Sequence, residues 1–322
     1  MKTSVRHFAR FLLEHDNYLI YTHGQADADT LGSALALRRA LISLGKSAVI
    51  CNPAPIPQKL RFMFDAENNV ANGLPAGRCT HISVDIASYA MLAGFDKEYL
   101  EKLVFDYSVD HHAVNTLRAK NLLVLPQYPA ASEIIAETLK ALGTELDEKY
   151  ALWLYAGISS DSGCFRYSYT RPSTLRLAAR LMSTGIDFAK INRLLFDNKT
   201  PGAVILEKDA YKNLELFYGG KVALTCISEE ALQNELVEDS DADGLNDIPR
   251  RIAGVEVSAV IRRRGDEIKV TLRSNDYYDV AALAKKFGGG GHIHAAGCRF
   301  YTDEADARRQ ILKALEGDFD AG

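Results

Sequence analysis

The sequence has few cysteines, and their spacing fits none of the usual cysteine-based sites. Five cysteines, at positions 51, 79, 164, 226 and 298, are spread over 322 residues without a Cys-x-x-Cys pair. An odd number at wide spacing favours neither a disulfide framework nor a zinc site of thiolates. We expect ordinary buried or surface thiols, so any metal chemistry must use other residue types.

Long apolar runs and an excess of positive charge are also absent. No stretch approaches the ~20 apolar residues that a membrane-spanning helix requires, and no apolar signal core is visible near the start. Lys and Arg total 38 against 42 Asp and Glu, a formal net charge of −4. This balance argues against a broad basic face for long nucleic acid. We expect a cytoplasmic protein without membrane contact, and a small anionic substrate stays open.

The length and the pattern of apolar runs predict an α/β fold in two domains. A chain of 322 residues exceeds the ~250 to 300 residues at which single cores stop growing. Short apolar runs at 17–22, 47–51, 80–84, 103–109 and 121–125 alternate with helical segments. This alternation predicts an N-terminal, mostly parallel sheet flanked by helices.

The character of the chain changes near a Pro-Gly pair at positions 201 and 202. Strands are predicted beyond it at 222–227, 255–262 and 267–272, with helices near 280–287 and 304–315. We therefore predict a catalytic metal-binding domain over residues 1–198, a linker region over 199–218, and a smaller α/β substrate-binding domain over 219–322.

Residue types that bind divalent cations cluster where predicted strands and helices open into loops. They are His23, Asp27, Asp29, Asp85, Asp110, His111, His112 and Asp161. Ligands of open α/β sheets bind outside the carboxyl ends of the strands, so one edge could gather them all. Two cations about 3.5 to 4 Å apart can stabilise both the attacking and the leaving group of a phosphoryl displacement. The clusters together predict a two-metal hydrolase.

Each cluster has a simpler interpretation when it is taken alone. His23 could be a capping or surface histidine, while Asp27 and Asp29 could cap the following helix, where carboxylates suit the helix dipole. Asp161 is predicted in a loop after a helix over 151–158. These separate interpretations lose weight together, because every cluster lies at the end of a strand or helix.

Several motifs, in order along the chain, resemble those of the DHH phosphoesterase family. They are the His-x-x-x-Asp-x-Asp spacing at 23–29, Asp85 after Ser-Val, the Asp-His-His triplet at 110–112, and the segment 157–163. The four glycines and histidine at 288–292 resemble the signature of the DHH-associated C-terminal domain. The whole set is most similar to the nano-RNase branch, which acts on oligoribonucleotides and linear dinucleotides.

One departure from that branch lies in the first motif. The branch usually has Pro before the first aspartate and Gly between the two aspartates, whereas this chain has Ala26 and Ala28. The ligand residues are retained, so the departure affects the inferred substrate more than the inferred metals.

The resemblance implies a role for each of the clustered residues. One cation would be held by His23, Asp27 and Asp85, and the other by Asp29, Asp85, His111 and Asp161, with Asp85 bridging. Among the catalytic residues Asp85, Asp110 and His112, Asp110 would orient His111, and His112 would face the phosphoryl group. Oxygen and imidazole donors without thiolate suit Mn²⁺, with Mg²⁺ or Co²⁺ as alternatives.

The C-terminal domain is expected to bind the substrate, with the active site between the domains. Consecutive glycines let backbone amides approach an anion, although a glycine run alone is usually a flexible turn. The residues expected to contact phosphate or base are Arg273, Ser274, Gly290, Gly291 and His292. His294 fits a structural role better. Arg166 could contact the scissile phosphate or form a surface ion pair.

The resemblance implies release of 5′-mononucleotides from short RNA or linear dinucleotides such as pGpG or pApA. One alternative is hydrolysis of 3′-phosphoadenosine 5′-phosphate, or of pyrophosphate, although the family's pyrophosphatases carry a different second domain. A non-catalytic nucleotide-binding module is another alternative, but such a module would be expected to have lost ligands. Homodimerisation stays open.

Overall fold

The chain divides into two units, residues 1–198 and residues 199–322. The first unit is built on a sheet of parallel strands. The computed structural model describes residues 2–65, 70–71 and 79–319, without the side chains at positions 70, 71, 243 and 292. The strands of the first sheet are β1 (Tyr18–Tyr21), β2 (Ala48–Cys51), β3 (Val70–Ala71), β4 (Thr80–Val84), β5 (Phe105–Asp110) and β6 (Ala119–Val124). They lie in the order β3-β2-β1-β4-β5-β6, and all these pairs are parallel. The predicted parallel sheet is confirmed.

The strand order reverses at β1, which lies between β2 and β4. Ile20 of β1 is paired with Ile50 on one side and Ile82 on the other. Such a switch in an open parallel sheet creates a crevice outside the carboxyl ends of the strands, where ligands bind. The chain leaves these ends directly before His23 and Asp85.

Helices cover both faces of this sheet. They are α1 (Val5–Glu14), α2 (Ala28–Ser43), α3 (Lys97–Lys102), α4 (Ala131–Ala141), α5 (Glu148–Asp161), α6 (Pro172–Met182) and α7 (Phe188–Asn192). Short 3₁₀ segments occupy Gln58–Met63 and Tyr89–Leu92, and a π-helical turn occupies Arg193–Asp197. The main core lies under α1, α2, α4 and α5, and a smaller core lies under α3 on the other face.

The helices that carry site residues pack closely because of one glycine. Gly32 of α2 faces the backbone of α5, where a Cβ atom would lie only 2.3 Å from the carbonyl oxygen of Trp153. A larger residue would push the two helices apart. Gly32 therefore fixes the distance between Asp29 and Asp161, one on each helix.

The helix α1 was not predicted from the sequence. Ser4 caps it by accepting a hydrogen bond from the amide of His7, and Phe8 and Leu12 are fully buried in the main core. Only Phe8, Ala9 and Leu12 of the helix are buried, and tertiary packing rather than local propensity accounts for its stability.

The second unit contains a mixed sheet, which confirms the predicted smaller α/β region. Its strands are β7 (Glu215–Phe217), β8 (Val222–Ile227), β9 (Val257–Arg264), β10 (Glu267–Ser274), β11 (Gly290–His292) and β12 (Ala295–Phe300). They lie in the order β11-β12-β10-β9-β8-β7. β8 and β9 are parallel, and the other pairs are antiparallel.

The remaining helices belong to this unit. They are α8 (Pro201–Lys212), α9 (Glu229–Leu232), α10 (Asp247–Arg250), α11 (Val280–Lys285) and α12 (Glu304–Phe319), with 3₁₀ segments at Tyr218–Gly220 and Asp239–Asn246. The predicted linker 199–218 thus contains a helix, α8, whose buried Leu206 packs with Ile227 of β8. Within the described residues, no helix has the length and apolar character needed to cross a membrane.

Only part of the glycine run 288–291 forms a turn. Gly290 and Gly291 form part of the edge strand β11, paired with Gly297 and Ala296 of β12. The strand β12 was not predicted, because its Ala-Ala-Gly start has low strand propensity. Gly291 has a φ of 149°, and a Cβ there would lie 2.4 Å from the carbonyl oxygen of Ala295, so only glycine fits this close pairing.

Candidate metal centre

The ends of three strands, β1, β4 and β5, and of two helices bring the clustered residues together. His23 follows β1, Asp85 follows β4, and Asp29 lies in the first turn of α2. Asp161 is the last residue of α5 and not part of a loop, because the helix continues through Ser159 and Ser160. The prediction of a loop position for Asp161 was therefore wrong.

The first potential ligand set contains His23, Asp27 and Asp85. The Nε2 atom of His23 lies 3.5 Å from a carboxylate oxygen of Asp27 and 3.5 Å from one of Asp85. One donor atom from each residue can be chosen so that all lie within 4.8 Å of one another. This spacing is compatible with one shared cation.

The second potential set contains Asp29, His111 and Asp161, again within 4.8 Å. The Nε2 atom of His111 lies 3.3 Å from an oxygen of Asp161 and 3.9 Å from one of Asp29. It also lies 3.3 Å from the Oδ1 atom of Asp85. Asp85 therefore presents one carboxylate oxygen to each set, as expected for a residue that bridges two cations.

Asp85 itself is held in an unusual state. Its φ of 58° lies in the left-handed region, which non-glycine residues seldom occupy and which is concentrated at functional sites. The residue is 2% exposed, and its Oδ1 atom receives no hydrogen bond from the described residues. A buried carboxylate oxygen without a donor is costly, and a divalent cation would satisfy it. The residues present therefore fit a metal pair.

Asp27 and Asp29 cap helices as well as facing the site. Oδ1 of Asp27 accepts from the amides of Asp29 and Thr30, both at 3.0 Å, and so caps α2. Asp29 is fully buried, and its two oxygens accept from the amides of Ala131 and Ser132 at 2.6 and 2.8 Å, at the start of α4. Capping and metal binding are therefore compatible here, because different lone pairs of each carboxylate serve the two purposes.

Asp110 orients the ring of His112 and not that of His111, which corrects the prediction. Oδ1 of Asp110 lies 2.7 Å from Nδ1 of His112 and accepts from the backbone amide of His111 at 2.8 Å. The Nδ1 atom of His111 instead lies 3.3 Å from the carbonyl oxygen of Tyr128. A proton on Nδ1 of His111 would leave Nε2 free to bind a metal. The backbone turn after β5 directs the two rings to different partners.

The amide of Asn115 was missed by sequence reasoning. Its Nδ2 atom donates to Oδ2 of Asp110 at 2.8 Å and to the carbonyl oxygen of Ile86 at 2.9 Å. It therefore fixes the fully buried Asp110 carboxylate from the side opposite His112. Nothing in the sequence around Asn115 distinguishes it from an ordinary turn residue.

The electrostatics of the cluster show what a cation would replace. Burial raises the pKa of Asp29 to about 7, and nearby Asp85 adds to the rise; burial likewise raises the pKa of Asp161. Burial also opposes ionisation of Asp85, but the neighbouring imidazoles of His111 and His23 outweigh it and hold its pKa low. Burial lowers the pKa of the two histidines, yet the carboxylates raise it to about 11 for His23 and about 12 for His111. Protons on His23 and His111 would therefore offset the negative charge of the carboxylates in the absence of a cation.

The residues predicted to bind substrate differ in their accessibility. Nη1 of Arg273 donates to the carbonyl oxygen of Leu272. Ser274 is 3% exposed and its hydroxyl lies 2.9 Å from Nδ1 of His294. This burial does not favour the direct substrate contact predicted for Ser274, and it assigns His294 a contact within the fold. The side chain of His292 lies outside the described part of the structure.

Arg166 lies on an exposed turn after α5. Its Nε atom donates to the carbonyl oxygen of Gly163 at 2.6 Å, and no ion pair involving it is found among the described residues. The surface ion pair considered as an alternative is therefore not seen there. One nitrogen of the guanidinium is thus anchored to Gly163, two residues after Asp161.

Family comparisons match both units. The N-terminal domain of the DHH family matches residues 17–158, and the DHHA1 domain matches residues 220–319. The first range contains every residue of the two ligand sets except Asp161, which lies just beyond it. The second range contains the glycine run.

Individual relatives extend the match over nearly the whole chain. The bifunctional oligoribonuclease and PAP phosphatase NrnA of Thermus thermophilus is 31% identical over 301 residues, which cover 92% of this chain and 88% of the relative. An exopolyphosphatase-related protein from Bacteroides fragilis has a TM-score of 0.85 at 22% identity, covering 97% of this chain and 95% of that one. RecJ from Thermus thermophilus, in complex with Mn²⁺, has a TM-score of 0.53 at 17% identity, covering 97% of this chain and 55% of RecJ.

The motifs, the fold and the extent of these matches agree. The resemblance inferred from the spaced aspartates, the Asp-His-His triplet and the glycine run is confirmed by matches to both domains. A relative at 31% identity that aligns with most of both chains excludes a match limited to one motif. This chain belongs to the DHH family and carries a DHHA1 domain in its second unit.

Proposed function

We propose that this chain is a two-metal phosphodiesterase that releases 5′-mononucleotides from very short oligoribonucleotides or linear dinucleotides such as pGpG or pApA. The observation that carries the proposal is the position of Asp85, with one oxygen near His23 and the other near His111. The similarity to an oligoribonuclease over most of the chain supports short RNA as the substrate.

Two divalent cations would be held by the two sets that share Asp85. His23 and Asp27 complete one set, and Asp29, His111 and Asp161 complete the other. Oxygen and imidazole donors favour Mn²⁺, with Mg²⁺ or Co²⁺ as alternatives, and the Mn²⁺ complex of RecJ agrees with this preference. When bound, the cations would supply positive charge that stabilises the attacking and leaving oxygens.

His112 is assigned the contact with the phosphoryl group. Asp110 holds its Nδ1 atom at 2.7 Å, so the Nε2 atom points away from that carboxylate. Burial lowers the pKa of His112, but the contact with Asp110 outweighs it and the net shift is upward. A protonated His112 would donate a hydrogen bond to a phosphoryl oxygen and stabilise charge that develops there.

Substrate binding is assigned to basic and backbone donors. In the second unit these are Arg273, the amides of Gly290 and Gly291, and His292, a combination suited to phosphate or base. In the first unit Arg166 lies on the turn that follows Asp161. These assignments account for why the metal-binding domain occurs with a DHHA1 domain in one chain.

The direct test is incubation of the purified chain with Mn²⁺ and 5′-phosphorylated diribonucleotides, with release of mononucleotide followed by chromatography. We expect release that stops when the cations are chelated and that returns with added Mn²⁺. Asp266→Asn, an exposed turn aspartate outside the cluster, is the matched control and should keep full activity. Absence of mononucleotide release across several dinucleotide sequences would contradict the proposal.

A phosphomonoester is a second candidate substrate. The relative from Thermus thermophilus is described as both an oligoribonuclease and a PAP phosphatase, and one metal pair could serve both reactions. Phosphate release from 3′-phosphoadenosine 5′-phosphate under the same conditions tests this activity. The pyrophosphatase alternative is less favoured because residues 220–319 match a DHHA1 domain. The complete ligand sets argue against a non-catalytic module. Cytoplasmic location and homodimerisation stay predictions.

A further inference from the structure

Two tyrosines are exposed side by side on the turn that follows α5. Tyr167 is 38% exposed and Tyr169 is 51% exposed, and their ring centroids lie 5.6 Å apart. Neither ring belongs to a hydrophobic core of the described residues. Single exposed aromatic rings are common, but adjacent rings beside a candidate active site indicate an interaction surface.

The turn holds Tyr167 in a fixed orientation. Gly163, Cys164 and Phe165 have φ values of 58°, 57° and 63°, and two of these residues are not glycine, so the conformation stores strain. The amide of Tyr167 donates to the carbonyl oxygen of Ser162 at 3.1 Å. One side of the Tyr167 ring lies against Gly163, where a Cβ atom would come within 2.5 Å of the ring. Part of the ring remains accessible, because Tyr167 is 38% exposed.

Tyr169 connects this surface to the candidate metal centre. Its hydroxyl donates to the carbonyl oxygen of Asp161 at 3.0 Å, and the carboxylate of Asp161 belongs to the second ligand set. This hydrogen bond ties Tyr169 to the backbone of a residue that would hold a cation, and the ring of Tyr167 lies beside that of Tyr169. A nucleotide whose phosphate is at the metal centre carries its base only a sugar away.

We propose that Tyr167 and Tyr169, the tyrosine platform, bind a nucleobase of the substrate, which stacks on one ring and meets the other, inclined by 50°, at its edge. Every base has a flat aromatic face, so such stacking binds nucleotides without strong preference among bases. The platform would select nucleotide substrates over inorganic ones such as pyrophosphate, which offer nothing to stack. This inference rests on the proposed phosphodiesterase function and adds a binding site for the base.

The test compares pApA with an analogue of the same backbone that lacks both bases. For Tyr167→Leu and Tyr169→Leu we expect the KM for pApA to rise about tenfold, the scale of one base stacked on an aromatic ring. The KM for the abasic analogue, the kcat for pApA and the bound Mn²⁺ should not change. Tyr167→Phe should behave as the unaltered chain, because it keeps the ring.

Two further variants separate stacking from other effects. Tyr169→Phe keeps the ring but loses the hydrogen bond to the carbonyl oxygen of Asp161, so an increase in KM there would assign the effect to that bond and overturn stacking at Tyr169. Tyr211→Leu removes an exposed tyrosine on α8, 58% exposed, and should change nothing. A changed sedimentation coefficient with unchanged KM would assign the pair to a subunit contact and overturn the proposal.

The outcomes distinguish the platform from the proposed function. If the chain cleaves pApA and the abasic analogue with equal KM, the platform is overturned while the phosphodiesterase function stands. If it cleaves neither with Mn²⁺, the proposed function fails, and equilibrium binding of labelled pApA decides the platform. Weaker binding by both leucine variants supports stacking, and equal binding overturns it.

Discussion

The candidate site residues of the two units differ in their burial. In the first unit the clustered carboxylates and imidazoles are buried, with Asp29 at 0%, Asp85 at 2% and His23 at 6% exposure. Among the described candidate residues of the second unit, the Arg273 side chain is half-buried and the backbone at Gly291 is exposed at the sheet edge. The first unit contains charge that its own fold cannot fully satisfy, whereas the second exposes donors at its surface.

This difference indicates a division of work between the units. Burying several carboxylates together is expensive unless opposite charge is supplied, and so the first site suits cations. A half-buried arginine and glycine residues at an exposed sheet edge cost little to keep and adapt to different ligands. We infer that the first unit would determine the chemistry and that the second would contribute affinity.

The largest effect is expected from Asp85→Asn. The change removes charge from the residue shared by both ligand sets, and we expect kcat to fall at least about 10³-fold, the upper range for losing one electrostatic group at an active site. Asparagine tolerates the left-handed region, so the φ of 58° is compatible with it. Initial rates, bound Mn²⁺ and the thermal melting temperature would be measured together.

An inactive Asp85→Asn variant that melts at the usual temperature and binds less Mn²⁺ supports the division. Retention of full activity would break it, because the bridging position would then be dispensable. Asp266→Asn serves again as the matched control, since it makes the same chemical change at an exposed turn.

We expect, second, that the affinity for Mn²⁺ rises steeply with pH. In the cation-free fold, the carboxylates raise the pKa of His23 to about 11 and of His111 to about 12. These protons stabilise the cation-free fold below pH 6.5, the ordinary histidine pKa, and that stabilisation is lost as pH rises through about 11. Both imidazoles must be neutral to bind metal, and the Asp161 carboxyl, whose pKa burial raises, must be ionised, so filling both sites should release at least about two protons. The product of the two affinities should therefore rise at least about 100-fold per pH unit near pH 8.

Calorimetric titration with Mn²⁺ in two buffers of different protonation enthalpy measures the proton release. His23→Asn should release about one proton fewer. An affinity that does not vary with pH would show that cations do not replace protons in the cluster, and the contrast with the second unit would weaken.

The sequence predicted the position of the site better than its internal contacts. β1 and β4 were identified because short apolar runs precede His23 and Asp85, and parallel strands bring their ends to one edge. The last turn of α5 was not, because Ser159 and Ser160 have moderate helix propensity and only packing keeps Asp161 helical. Local patterns are sufficient for strand ends, but tertiary contacts decide where a helix stops.

Contacts between residues far apart in the chain could not be predicted from the sequence either. Asp29 caps α4 through the amides of Ala131 and Ser132, more than a hundred positions away in the chain. The choice of His112 over His111 as the partner of Asp110 depends on a single backbone turn. Side-chain periodicity carries no information on either, because both depend on how separate elements meet.

Asp110→Asn is expected to have a smaller effect than Asp85→Asn. The variant weakens the hydrogen bond that orients His112 and favours its protonated form, and groups of this kind are worth about 10- to 100-fold. We expect kcat to fall by that factor while bound Mn²⁺ stays unchanged, because the ring of His111 is held by Tyr128. Loss of Mn²⁺ would show that Asp110 supports His111 after all. His111→Ala provides the contrast, since it should lose metal.

The smallest effect is expected in the second unit, from Arg273→Ala. Arg273 would contribute binding rather than chemistry, so we expect KM for pApA to rise about tenfold, the scale of one charge-assisted hydrogen bond to phosphate. The kcat and the bound Mn²⁺ should not change. Arg273→Lys should recover part of the affinity, because a point charge replaces a planar donor pair. Arg309→Ala, on the surface of α12 with its side chain 76% exposed, is the matched control. A fall in kcat without a rise in KM would place Arg273 in the chemical step, and the chemistry would then no longer belong to the first unit alone.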